Sequence, residues 1–247
     1  MISSGYTDVG RVREVNQDSF IVVDLLGLYI VADGMGGHAA GEKASITAIG
    51  TALDIFSSYD FENQKIVGSD ETLSIIDMIR ISFKEANNRI IKESISSVHL
   101  QGMGTTQVMS IIYNNKAYLG SIGDSRIYKI TSSSIEQLTR DHSVVQDLMD
   151  QGLITSEEAK VHPYKNVITK CLGMQAEIEI DTKEINLEKD DKLLLCTDGL
   201  TGLVTDEEIK NIVNSNNDLN NVVKKLVNLA NERGGHDNIT VVIIHNN

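Results

Sequence analysis

Four apolar runs in this chain each meet an aspartate beside a turn-forming residue. LYIVADG delivers Asp33 and Gly34, AYLGSIGDS delivers Asp124, KLLLCTDG delivers Asp198 and Gly199, and HDNITVVII carries Asp237 just ahead of its run. Singly, Asp before Gly, Ser or Asn is ordinary turn chemistry. Together, strands that release an acid at their ends bring several carboxylates to one place in a sheet-based fold. Carboxylates that close repel one another and take up protons unless cations separate them. The candidates include no CxxC and no His pair, so an all-oxygen set points to a hard divalent ion, Mg2+ or Mn2+, which keeps several of its waters. Two such ions sharing one carboxylate clamp phosphate oxygens and bring the pKa of a water between them toward neutrality.

Two further stretches suit a phosphate. GRVREVNQDS holds Arg11 and Arg13 close to Asp18 in an arginine-poor chain, and a guanidinium grips two phosphate oxygens at once. DGMGGHAAG follows Asp33 with three glycines and His38; glycine permits close main-chain approach and lets a carbonyl face a metal. The pattern is neither GxGxxG nor the GxxxxGK[ST] loop, so it does not read as a nucleotide site.

The rest of the composition narrows the partners. The 247 residues carry 22 basic and 35 acidic side chains, a formal charge of −13, which argues against nucleic acid or an anionic membrane as a partner. The same charge weighs against a metal-dependent nuclease or phosphodiesterase, which would have to hold a polyanion. Cys171 and Cys196 lack metal-site spacing, and a reducing compartment is expected. Met1 to Gly10 has neither a basic residue nor an apolar core, Ile2 removes N-myristoylation, and no apolar run approaches a membrane span. A cytoplasmic protein is expected. With one proline, Pro163, and neither linker nor repeat, residues 1–247 are expected to form a single domain.

The elements that must position the aspartates are read from periodicity. Strands are expected at Ser19–Asp24, Leu28–Ala32, Thr105–Tyr113, Lys116–Ile122, Arg126–Thr131, Ile135–Thr139, Glu177–Leu187, Lys192–Thr197 and Asn238–His245, with Asn114 and Asn115 turning one hairpin. Helical spacing marks Ala39–Ser58 and Glu71–Glu93, and further helices open at Thr205, with Glu208 as its capping-box partner, and at Asp218. Blocks of consecutive strands bracketed by helices predict antiparallel sheets covered by helices. Between the strand blocks, residues 142–165 form a polar, partly helical insertion with a capping box at Thr155 and Glu158, the texture of a flap over a site.

At this point the order of motifs is recognisable. NQDS at 16–19, DGMGGHAAG at 33–41, GMGTT at 102–106, GDSRIY at 123–128, LTRDHS at 138–143, ITKCLG at 168–173, CTDGL at 196–200 and GGHDNITVV at 234–242 resemble the bacterial metal-dependent protein serine/threonine phosphatases of type 2C, the PPM family. The resemblance spans nearly the whole chain. It implies an α+β fold, a four-layer α/β/β/α sandwich with the metal site at one edge between two antiparallel sheets. By motif position Asp33 resembles the bridging ligand, Gly34 a carbonyl ligand, and Asp198 and Asp237 ligands of the first ion. Asp18 resembles the carboxylate that holds metal-bound water, and Asp124 with Asp198 a third, weaker site. Arg13 resembles the phosphate-binding arginine, with Arg11 off register.

The implied chemistry is in-line attack by a metal-bridging hydroxide on phosphoserine or phosphothreonine, without a phosphoenzyme, in a monomer opposing a bacterial serine/threonine kinase. Metals and Arg13 would stabilise charge on the equatorial oxygens. Two departures stand out. Animal members carry a histidine directly after the Asp-Gly pair as a proposed general acid, where this chain has Met35; His38 and a metal-bound water compete for that role. Gln17 stands where animal members have an acid, which leaves the second ion more dependent on water. A binding-only relative would lack a ligand, yet Asp33, Asp198 and Asp237 are all present. Cys196, within KLLLCTD, reads as a buried apolar residue. Thr105 and Thr106 are expected to shape the sheet edge, and Asn238 to orient the Asp237 loop.

Overall fold

The computed structural model describes residues 1–37, 40–68 and 71–247. The strands are β1 (Ile2–Asp8), β2 (Asp18–Val23), β3 (Leu28–Met35), β4 (Tyr59–Asp60), β5 (Lys65–Ile66), β6 (Gly104–Thr105), β7 (Gln107–Tyr113), β8 (Lys116–Ile122), β9 (Arg126–Ile130), β10 (Ile135–Gln137), β11 (Asp181–Asn186), β12 (Lys192–Cys196) and β13 (Ile239–His245). The helices are α1 (Ala40–Ser57), α2 (Ile75–Ser96), α3 (Val144–Asp150), α4 (Ser156–Val161), α5 (Asp198–Thr201), α6 (Asp206–Asn214) and α7 (Leu219–Glu232). One sheet runs β1-β13-β12-β9-β10 and the other β11-β8-β7-β3-β2, with β6 added beside β3. Every pairing in both is antiparallel.

Alternation along the strands sorts the core into three layers. Tyr29 and Val31 of β3 meet Val108, Leu195 and Val242 between the sheets. Their neighbours Leu28, Ile30 and Ala32 face outward, onto Ala44 and Ala48 of α1 and Ile79 and Phe83 of α2. On the far side Leu194, Cys196, Val241 and Ile243 pack against Val222 and Leu226 of α7. Strands covered on both faces read as unbroken apolar runs, and the result is the expected α/β/β/α sandwich.

Several boundaries differ from these expectations. The helix expected from Glu71 begins at Ile75, because the Ser74 hydroxyl accepts the Asp77 N–H at 3.1 Å while the Asp77 carboxylate takes the Ser74 N–H; Leu73 precedes the helix. The strand expected over Thr105–Tyr113 is interrupted at Thr106, which turns its N–H to the Asp33 carbonyl at 2.9 Å. The strand expected from Glu177 starts at Asp181. The helix expected from Ala39 is described from Ala40, Ala39 itself lying outside the described residues. Strand β1 and the one-turn α5 have no counterpart in the sequence reading. The insertion holds α3 and α4, in keeping with its partly helical texture. Among the described residues, no helix is long and apolar enough to cross a membrane.

Candidate metal centre

The same end of the sandwich collects the aspartates because the antiparallel sheets deliver alternate strand ends there. Asp18 opens β2 and stands in register with Asp33 near the end of β3. Both share the strand face of Phe20 and Val31, so both point between the sheets. Asp124 follows the end of β8 by way of Gly123, Asp198 opens α5 after β12, and Asp237 precedes β13. Asp33, Asp124, Asp198 and Asp237 are half-buried and reachable, while Asp18 lies deeper.

Main chain and threonine hydroxyls hold these acids in place. A side chain on Gly34 would begin 2.1 Å from the Gly41 carbonyl oxygen at the start of α1, and one on Gly199 would begin 1.9 Å from that of Asn238. Only glycine lets these segments close. The Thr106 hydroxyl accepts the Asp33 N–H at 3.0 Å and the Thr105 hydroxyl donates to the Asp33 carbonyl at 2.8 Å. The hydroxyls of Thr197 and Thr240, from the opposite sheet, donate to one Asp18 oxygen at 2.9 and 2.7 Å. Asn238 does more than orient the Asp237 loop. Its amide donates to the carbonyls of Val9 and Val15, and its side-chain oxygen accepts the Gln17 N–H at 2.8 Å, which pins the segment carrying Arg13.

Burial and crowding leave Asp18, Asp33, Asp124 and Asp198 reluctant to ionise. Burial, and then the charges of Asp198 and Asp237, raise Asp18 to about 7 against the pull of its two threonine hydroxyls. Burial and Asp198 likewise raise Asp124 to about 7. Asp33 is pushed well up by burial and by Asp18, Asp198 and Asp124. Asp198 is raised by burial and Asp237 despite a hydrogen bond with the Asp33 carboxyl. The fixed cations lie at the margins. Arg13 Nη2 meets Asp237 Oδ2 at 2.7 Å, and Arg126 is gripped by Asp141 at 2.6 Å.

The structure therefore brings together Asp18, Asp33, Gly34, Asp198, Asp237, Asp124 and Arg13, whereas His38 lies outside the described residues. Cys196 is fully buried on the helix side of its strand and its thiol is pushed up by burial, in line with the apolar reading. Sequence reasoning missed Thr197, Thr240 and the Arg126–Asp141 pair. The adjoining motifs CTDG, DNIT, GDSR and TRDH contain them all, but nothing local ties one to another.

The donor set fits hard cations. One oxygen of Asp18 and one of Asp198 are buried without a hydrogen-bond partner, a costly state for a carboxylate. Divalent ions would relieve both that cost and the mutual repulsion. Among the described residues, no three Asp, Glu, His or Cys side chains close on a common point.

Comparison with known proteins points the same way. The family model described as protein phosphatase 2C matches residues 10–241. The chain is 37% identical over 244 residues to the serine/threonine phosphatase stp of Listeria welshimeri serovar 6b, covering 98% of this chain and 94% of that one. It is 39% identical over 247 residues to the protein phosphatase PhpP of Streptococcus pneumoniae serotype 2, covering 98% and 96%. The catalytic domain of the serine/threonine protein phosphatase PstP, solved in complex with two manganese ions, superposes with a TM-score of 0.85 at 31% identity, covering 98% of this chain and 96% of that one.

Proposed function

The chain belongs to the protein phosphatase 2C family and is a metal-dependent serine/threonine protein phosphatase, and from that premise we propose how its residues divide the work. Asp33, the Gly34 carbonyl, Asp198 and Asp237 would hold the two core Mn2+ or Mg2+ ions, Asp18 would hold water beside them, and Asp124 with Asp198 would take a third ion. The observation that carries this assignment is the convergence of aspartates from separate segments on one end of the sandwich, with Asp18 in register opposite Asp33 and with burial and neighbouring aspartate charges raising Asp18, Asp33, Asp124 and Asp198. When bound, the ions supply Lewis-acid activation of water and neutralise phosphate charge.

Arg13 orients the phosphate. It projects from an exposed loop pinned by Asn238, and its Asp237 contact uses only Nη2, which leaves the other guanidinium donors for phosphate oxygens. Water attacks phosphorus in line, the bond from phosphorus to the seryl or threonyl oxygen breaks, and that oxygen takes up a proton. Burial of Cys196 and Cys171, with both thiols pushed up, supports water as the nucleophile over an enzyme thiol. His38 and water are the two proton sources to distinguish.

On this reading residues 1–247 act as one monomeric catalytic unit on phosphoproteins in the cytoplasm, opposing a serine/threonine kinase. Its two cysteines, free and buried, suit a reducing compartment. Manganese-dependent release of phosphate from a phosphothreonine peptide, abolished by chelation and by Asp198→Asn, tests the assignment. Undiminished turnover by Asp198→Asn would overturn it.

A further inference from the structure

The residues on both sides of Asp124 are clasped to two adjacent residues at the root of the flap. On one side, the His142 N–H donates to the Gly123 carbonyl at 2.9 Å, and the Gly123 N–H donates back to His142 Nδ1 at 3.0 Å. On the other, Arg126 Nε and Nη2 hold both oxygens of Asp141 at 2.6–3.0 Å. Because Nδ1 accepts, the neutral ring carries its proton on Nε2, which faces Asp181 Oδ2 at 3.2 Å. His142 is only 2% exposed, and burial holds it below the ordinary histidine value, so the acceptor is retained near neutral pH.

The clasp also reaches the far end of the flap. The Thr169 N–H donates to the His142 carbonyl at 2.7 Å and the Val144 N–H to that of Val167 at 2.9 Å, so the entering and leaving chains are paired at the root. Three residues on, Leu172 exchanges two main-chain hydrogen bonds with Thr105, whose hydroxyl supports Asp33. The root of the flap is thus built into the supports of two different aspartates.

We propose that His142 is a positioning residue for Asp124: by accepting the Gly123 N–H it fastens the Asp124 turn to the flap root and thereby sets the affinity of the Asp124 cation site. Asp124 itself bears the ion, on the assignment made above, and His142 touches neither ion nor substrate. Gly123 adopts φ +101°, one of many conformations open to glycine, so an outside hydrogen bond narrows the turn to this one. The acceptor must sit on the atom bonded to Cγ. Asn places its oxygen there, whereas Gln places it one bond further out.

The test compares His142→Asn, His142→Gln and His142→Leu with Asp124→Ala as reference. Calorimetric Mn2+ titration reads the weaker site, and hydrogen exchange of the Gly123 amide is read in metal-free protein. His142→Gln and His142→Leu should weaken the weaker site about tenfold, the scale of one buried hydrogen bond, and speed Gly123 exchange, while His142→Asn retains both properties and the tight sites stay unchanged. If the His142→Leu variant fails to fold, the Asn and Gln variants alone decide; identical behaviour of those two overturns the proposal. If Asp124→Ala leaves the weaker site intact, the metal assignment of Asp124 is wrong. If Asp124→Ala removes that site while His142→Gln leaves its affinity unchanged, the positioning role is wrong and the assignment stands.

Discussion

Asp18 and Asp33 stand directly opposite one another across the β2–β3 ladder, with both carboxylates turned into the space between the sheets. Like charges in that relationship destabilise a sheet, and here Asp198 and Asp124 add to the same field. The fold tolerates the arrangement because protonation, or a bound cation, discharges it. The chemistry of the site and the stability of the molecule are therefore linked.

That linkage has a sign. An acid whose pKa rises on folding holds its proton more tightly in the folded chain, so its stabilising contribution is complete below the ordinary aspartate range and is lost as pH rises through its folded value. For Asp18 and Asp124 that value is about 7. Metal-free protein should lose stability from about pH 4 to 7, and the gain in Tm on adding Mn2+ should be larger at pH 8 than at pH 5. His142 has the opposite sign, since burial lowers its pKa, but it contributes with and without ions, and the difference between the two melting curves isolates the acids. A metal-induced gain that does not grow with pH would contradict this account.

Replacing Asp33 by Asn should separate the two roles of that residue. The neutral amide removes the most crowded acid of the cluster, so metal-free Asp33→Asn should be more stable than the parent at pH 7.5 by roughly 1–3 kcal/mol, while phosphatase activity falls by at least about a thousandfold. Urea unfolding in chelator measures the first and peptide dephosphorylation the second. A destabilised, inactive variant would assign Asp33 a structural role that its repulsive surroundings do not predict.

Arg13 should act on substrate and leave stability nearly untouched. Its pair with Asp237 is exposed, with side-chain accessibilities of 53% and 36%, so Arg13→Ala should cost less than about 1 kcal/mol. Loss of the bidentate phosphate grip should lower kcat/KM on a phosphothreonine peptide roughly 10- to 100-fold. Arg13→Lys should recover only part of that loss, and full recovery would reduce the role of Arg13 to that of a point charge.

How far the site was legible follows from how each part is encoded. Asp33, Asp124 and Asp198 were visible because an apolar strand ending on Asp beside a turn residue is a local pattern. The capping boxes of α4 and α6 were visible for the same reason, while Ser74–Asp77 escaped because its third residue is Asp in place of Glu or Gln. Strand β1 was not legible: its sequence ISSGYTD turns Ser4, its one buried residue, inward and carries no apolar alternation. The threonine support of Asp18 was out of reach altogether, since its two bonds join residues 179 and 222 positions apart, and only the stacking of the two sheets brings them together.

The source of the departing proton is decided by leaving-group chemistry. An alkoxide leaving from phosphothreonine needs a proton in the transition state, whereas a nitrophenolate does not. If His38 supplies it, His38→Ala should slow phosphopeptide hydrolysis roughly 100-fold, within the usual range for general acid catalysis, and leave an aryl phosphate nearly unaffected. The acidic limb of the phosphopeptide rate profile should shift as well, because a water held among Asp18, Asp33 and Asp198 titrates with that cluster and not with an imidazole. Equal losses on both substrates, with an unchanged profile, would remove His38 from the acid role and assign the proton to water.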